Sequence, residues 1–293
     1  MPTISKQVGG GNHKAATHRG VTGVLSRIAP IKPVSVDCQK WAIYGVPKSG
    51  KTRFACTFKK PLLLIGAEDG TASVAGIKGV EFVLAQSLAE VDELILEVRK
   101  GRWASVVLDT LSKLRDLRIV ELFSGMGMEV PEKKPFLFAD KIWKGVWTQC
   151  SKDLKDSLRV LLDYPRVMNL NTLVISQEAN LVYDDGAALA GSDVLRPVIG
   201  SAVGKSLCDW LHAECDYLGQ TLIREQTAER MVEIGGQKVS TRERTGRKEY
   251  CLRISPDGIY QAGFRLPEGR ILDQEFLIDP TCEKVCDLIR GRK

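Results

Sequence analysis

From residue 38 onward, short apolar runs alternate with stretches whose apolar residues recur every three or four positions. Residues 40–44 and 61–65 are apolar runs of buried-strand length, and residues 50–58 read as the helix between them. Residues 80–84 form another strand pattern. In residues 88–99 the positions Leu88, Val91, Leu94, Ile95 and Val98 have helical spacing, and residues 105–108 are again strand-like. A helical stretch over 111–123 follows, then an interruption at 124–135, a second helix over about 139–164, and a buried strand at 172–176. Past residue 216 the pattern changes to strands separated by turns, at 217–225, 230–234, 248–254 and 259–262, before a closing helix at 282–290. The alternation predicts an α/β fold with a mainly parallel sheet sandwiched by helices, and the later strands an antiparallel extension at the C-terminal side.

Residues 1 to about 24, with Gly9-Gly10-Gly11, show no period and read as a flexible segment, so the expected organisation is a basic N-terminal arm over 1–33 and one folded domain over 34–293. A chain of 293 residues is at the upper end of what one hydrophobic core holds. No run of about 18 apolar residues and no signal-peptide pattern occurs, which predicts a cytoplasmic protein without a membrane partner. The eight cysteines are scattered without a Cys-x-x-Cys pair, so they read as reduced. Cys282 and Cys286, four apart on a helix, lack a second ligand pair and suit small core hydrophobes better than a metal clip.

Charge changes the picture through its placement. The formal net charge is +6, and residues 1–37 hold Lys6, Lys14, Arg19, Arg27 and Lys32 against Asp37 alone. A basic arm ahead of a near-neutral domain suits a polyanion, because Lys and Arg release counterions from phosphates, and it equally suits a solvated tail.

The strongest chemical signal is Gly45-Val46-Pro47-Lys48-Ser49-Gly50-Lys51-Thr52, followed by Arg53. It matches the G-x-x-x-x-G-K-[ST] phosphate loop and has the required strand before it and helix after it. Glycines at 45 and 50 let backbone N–H groups wrap a β-phosphate, with the helix N-terminus adding partial positive charge. Lys51 then reaches the β/γ-phosphates and Thr52 offers its hydroxyl to Mg²⁺, which makes ATP and Mg²⁺ the expected cofactors. A second acid for the metal normally ends the strand beside the loop strand, and Asp109 closes the strand pattern at 105–108. Asp109 also suits a cap for the helix that starts at Leu111. Glu68 and Asp69 follow the strand after the loop helix, and Glu68 is the candidate to orient the attacking water. Gln177, after the strand at 172–176, suits a contact to the γ-phosphate or its water, or an exposed strand end.

The sequences 44–52, 62–65 leading to Glu68, 107–109, and 174–177 together resemble the RecA-like branch of P-loop ATPases, and more closely the small phage-encoded RecA-like proteins of ATP-binding or single-strand annealing type. The resemblance covers about residues 38–265. It implies a RecA-like P-loop NTPase fold, Mg-ATP hydrolysis with Glu68 as the catalytic acid, and action on single-stranded DNA in phage recombination, annealing or replication. It also implies self-assembly into a filament or ring, company with a single-strand binding protein or replisome component, and the cytoplasm of a host cell. Two loops would line the DNA path. The first holds Lys133, Lys134 and Lys141 with Phe136, a mixture of charge and stacking surface, and those positions also suit the solvated side of a helix. The second, over 180–205, has Arg196 and Lys205 as its bases, among Asp184, Asp185 and Asp193. Arg265 stands where such relatives carry a residue that touches the neighbouring subunit's ATP, although Gly263 replaces the lysine expected beside it. A helicase motor, a helicase loader and an ATP-gated assembly factor are the alternatives that the same residues leave open.

Overall fold

The computed structural model describes residues 38–70, 72, 74–129, 144–182, 197–235 and 237–292. The basic arm lies outside the described residues, as do Lys133, Lys134, Phe136, Lys141 and Arg196. Strands β1 (Lys40–Gly45), β2 (Leu62–Gly66), β3 (Val80–Leu84), β4 (Ser105–Asp109) and β5 (Asn171–Val182) alternate with helices α1 (Lys51–Ala55), α2 (Leu88–Val98), α3 (Leu111–Gly125) and α4 (Lys144–Met168). After them come β6 (Pro197–Ser201), α5 (Lys205–Glu214), β7 (Tyr217–Ile234), β8 (Gln237–Arg253), β9 (Gly263–Phe264), β10 (Phe276–Ile278) and α6 (Cys282–Arg290). Across the sheet the order is β3-β2-β4-β5-β1-β7-β8-β10. The strands from β3 to β7 run parallel, and β8, β6 and β9 pair antiparallel with their neighbours.

Side-chain alternation along the strands makes the two layers. Ala42, Tyr44, Ile65, Val106, Leu108 and Val174 face a core with Val91, Ile95, Leu114, Leu154 and Leu207, from α2 to α5. Trp41, Ile43, Leu64, Val107, Leu173 and Ile175 face the other core, with Phe54 of α1 and Val285 of α6. The central strands carry apolar residues on both faces because both are covered. Cys150, Cys208, Cys215, Cys251 and Cys282 are buried, and the eight cysteines form no disulfide.

Several boundaries differ from those expected. The helix after the loop is only Lys51–Ala55, since Phe58 already belongs to a turn: its N–H donates to Ala55 O. Residues 217–234 are one continuous strand. The polar residues between its two apolar parts pair in register with β8 around an irregularity at Glu225/Thr227. Residues 259–262 are not a strand: Tyr260 makes one isolated bridge to Ile199, and pairing with β7 begins only at Gly263. The main topological correction concerns Asp109. Its strand β4 is not the neighbour of the loop strand β1, because β5 lies between them and pairs with both.

Among the described residues no helix is long and apolar enough to cross a membrane. One titratable group is half-buried behind β1: the His212 ring stacks on Tyr44 at 6.2 Å and its Nε2 lies 3.0 Å from Ser201 Oγ. Burial lowers its pKa from 6.5 to about 4. A lowered histidine pKa means that the unfolded chain binds the extra proton, so stability is full above pH 6.5 and falls as pH drops towards 4. In denaturant titrations over that window His212→Asn should show a shallower loss than the wild type, and equal slopes would refute this assignment.

Candidate functional site

The carboxyl ends of four parallel strands meet at one edge of the sheet. Gly45 is in register with Gln177, and Gly66 with Asp109. Above this edge lies a cavity of about 690 Å³ lined by Lys51, Thr52, Glu68, Asp109, Gln177 and Tyr250, among others. Of the residues singled out for catalysis and metal binding, the fold therefore brings Lys51, Thr52, Glu68, Asp109 and Gln177 to one site. Asp69 lines the same cavity as Glu68. Arg265 stands apart: it lies beside the start of β7, at the opposite end of the strands, and donates to Asp216 Oδ1 at 3.0 Å and to Ala213 O at 2.7 Å.

The loop wraps tightly because its glycines allow it. A Cβ at Gly45 would lie 2.4 Å from Thr221 O and 2.7 Å from Ser49 Oγ. Gly50 has φ +92°, and a Cβ there would press on the Tyr250 ring at 2.9 Å. Ser49 Oγ and Thr221 Oγ1, 2.7 Å apart, pin the loop to β7. Val46, Pro47 and Lys48 form the exposed crest. Arg53 is exposed on the first turn of α1, with its guanidinium 5.4 Å from the centroid of the Tyr250 ring.

Lys51 is 7% exposed, and its ammonium donates to Gly45 O and Val46 O, both at 2.8 Å. Burial lowers its pKa, against the opposing pull of the Asp109, Glu178 and Glu68 carboxylates. Thr52 Oγ1 donates to Asp109 Oδ2 at 2.6 Å, which spans the intervening β5. Burial raises the pKa of Asp109, and the Thr52 hydrogen bond and the Lys51 charge work the other way. The Asp109 position at the strand end does not cap α3. That cap is Thr110, whose hydroxyl accepts from Lys113 N. Gln177 Oε1 is buried with no hydrogen-bond partner, although its residue lines the cavity.

This geometry fits a magnesium-bound polyphosphate. The glycine cradle leaves space where a side chain would intrude, and a buried ammonium sits at its base. A hydroxyl and a carboxylate already in contact form part of an oxygen set for a hard cation. Glu68, Asp69 and Asp109 in the lining would repel the acid-facing side of a polyphosphate, a repulsion that a divalent ion between acid and anion would relieve. Among the described residues no group of three or more His, Cys, Asp or Glu could hold a metal.

Sequence reasoning missed Phe82, Glu178, Thr221 and Tyr250. Phe82 fixes Gly66, where a Cβ would lie 2.5 Å from its ring. Glu178 accepts from Gln220 Nε2 at 2.7 Å, and Gln220 Oε1 accepts from Arg253 Nε at 3.1 Å, so a polar chain runs from β5 through β7 to β8 past the end of β1. Glu178 directly follows Gln177 and could have been weighed with it. Tyr250 and Thr221 carry no local signal, because strand pairing alone brings them to the loop.

A family model described as an AAA domain matches residues 38–246, a span that contains the phosphate loop, Glu68, Asp109 and Gln177. No curated protein matches the chain. Gly45→Ala should lower the unfolding midpoint and abolish nucleotide binding, because the nearest atom to the new Cβ is backbone that cannot rotate away. Thermal melts with and without Mg-ATP check this, and a variant that melts like the wild type and is still stabilised by nucleotide would contradict it.

Proposed function

Since the chain belongs to the AAA domain family of P-loop ATPases, we propose that it binds Mg-ATP in the cavity above β1, hydrolyses it in a RecA-like manner, and couples that cycle to work on single-stranded DNA. The contact that carries this reading is the 2.6 Å hydrogen bond between Thr52 and Asp109, beside a buried Lys51 in one cavity. Thr52 and Asp109 would hold Mg²⁺, which supplies charge neutralisation of the phosphates. Lys51 would exchange its two loop carbonyls for β- and γ-phosphate oxygens, a substitution of acceptors that keeps a desolvated ammonium satisfied.

For hydrolysis a water must be oriented and must lose a proton. Glu68 is exposed in the cavity at the end of β2, facing the same space as Lys51 and Asp109, and suits that step. Gln177, with its unpartnered amide oxygen, suits a hydrogen bond to that water. The DNA partner is supported by the net positive charge, by the basic arm and by the RecA-like resemblance of the motifs. Recombination, annealing or replication of phage DNA is the setting that the same resemblance favours, and there Arg265 would have to leave Asp216 and Ala213 to reach a neighbouring subunit's ATP.

Purified protein should turn over ATP only with Mg²⁺. Single-stranded DNA should stimulate it, less so at high salt. Lys51→Ala and Glu68→Gln should each reduce turnover by about a hundredfold or more, with Glu68→Gln retaining ATP binding. Turnover that survives Lys51→Ala would refute the site, and turnover indifferent to DNA would refute the partner.

A further inference from the structure

A second cavity, of about 640 Å³, lies between α4 and the start of α5 and shares no lining residue with the nucleotide cavity. One wall is the face of α4 that presents Lys152, Lys155 and Arg159, spaced three and four residues apart. The facing wall is Gly204, Lys205 and Ser206, and Trp147 lines it from the first turns of α4. Lys152, Arg159 and Lys205 are exposed, and Trp147 and Lys155 are half-buried. Lys155 Nζ reaches across the groove to Ser206 Oγ at 2.9 Å, which ties the two walls together. Among the described residues the only acid in the lining is Asp156, which is 3.0 Å from Arg159. Four cations against one already paired carboxylate make the groove strongly electropositive.

The groove is also joined to the nucleotide cavity by short contacts. Ala202, two residues before Gly204, donates its N–H to Gln177 O at 2.7 Å. Its own carbonyl accepts from Arg115 Nη1 at 2.7 Å. Arg115 sits on α3, the helix that follows Asp109, and its guanidinium lies 5.9 Å from the centroid of the Trp147 ring. One wall is therefore in contact with α3, which starts beside Asp109, and the other is tied to β5 at Gln177.

We infer that this groove binds the backbone of a single-stranded polynucleotide, with Lys152, Lys155, Arg159 and Lys205 on its phosphates and Trp147 as a stacking surface for a base. The inference rests on the proposed nucleic-acid partner and adds to Lys205, which the resemblance already implied, the α4 residues Trp147, Lys152, Lys155 and Arg159, which no sequence motif marks. Basic side chains beside an aromatic plane are the combination that holds a single strand, whereas a duplex keeps its bases stacked inside and offers none to the indole. The contacts through Ala202 and Arg115 provide a route by which occupancy of one cavity is felt at the other.

The test is fluorescence anisotropy of labelled oligothymidylate, with oligouridylate and a duplex of equal length as further arms, in Mg-ATP over a range of salt. Lys152→Ala combined with Lys155→Ala should weaken single-strand binding at least about tenfold and make the log–log salt dependence shallower by about 1.4, from two lost phosphate contacts. The control Lys100→Ala, on an exposed lysine paired with Glu97, should bind as the wild type does. Titration with a fluorescent ATP analogue and the thermal midpoint should be unchanged in the double variant. Preference for either oligothymidylate or oligouridylate over duplex supports the groove and identifies the strand. Wild-type affinity and salt slope in the double variant would overturn the groove while leaving the ATPase reading intact, and a wild type that prefers duplex, or binds no oligonucleotide, would overturn the assignment. Absence of ATP turnover alongside groove-dependent strand binding would overturn only the ATPase reading.

Discussion

A lysine ammonium taken out of water has to be surrounded by acceptors, and the site is organised around satisfying Lys51. Its two hydrogen bonds go to carbonyls of its own loop, Gly45 O and Val46 O. Those carbonyls turn inward only because the backbone at Gly45 packs against Thr221 with no room for a Cβ. Thr221 is placed by β7, whose parallel pairing with β1 fixes the floor of the loop. The carboxylates of Asp109, Glu178 and Glu68 supply a field that counters the burial of the charge. A polyphosphate with its magnesium ion can take over from both sets, oxygens for the ammonium and a cation for the acids.

The same edge of the sheet explains how the parts communicate. β5 lies between the loop strand and the strand of Asp109, so Gln177, where β5 leaves the parallel sheet, stands between the phosphate loop and Asp109. Beyond Gln177 the strand continues into a hairpin with β6, and the return leg leads through Ala202 to α5. On the other side Glu178 starts the polar chain through Gln220 to Arg253, which also pairs with Asp257. Changes at the nucleotide thus have two physical routes outward, one to the basic groove and one to the base of the long β7–β8 hairpin.

Much of this was legible in the sequence, for definable reasons. The buried strands and α2 announce themselves through period, because a covered strand is apolar throughout and α2 packs one stripe, Leu88, Val91, Ile95 and Val98. The phosphate loop is local in sequence, so its motif suffices, and Glu68, Asp109 and Gln177 each follow an apolar run that ends at the same edge. What was not legible depends on pairing between distant segments. Tyr250 reaches Gly50 only through the order β8-β7-β1, and the strand inserted between β1 and β4 has no signature in either neighbour. β6 and α5 are short: Ala202 between them is held by hydrogen bonds with Gln177 and Arg115, and α5 buries only Leu207, Cys208 and Leu211. Arg265 fitted a local pattern, yet its guanidinium is engaged with Asp216 and Ala213 at the other end of the strands.

The most direct measurement is calorimetric titration of ATP into the wild type and Lys51→Ala, each with Mg²⁺ and with a chelator. The account predicts one nucleotide per chain for the wild type with Mg²⁺, much weaker binding with chelator, and none detectable for Lys51→Ala. Equal binding by the two proteins, or binding indifferent to Mg²⁺, would contradict a site built on Lys51, Thr52 and Asp109.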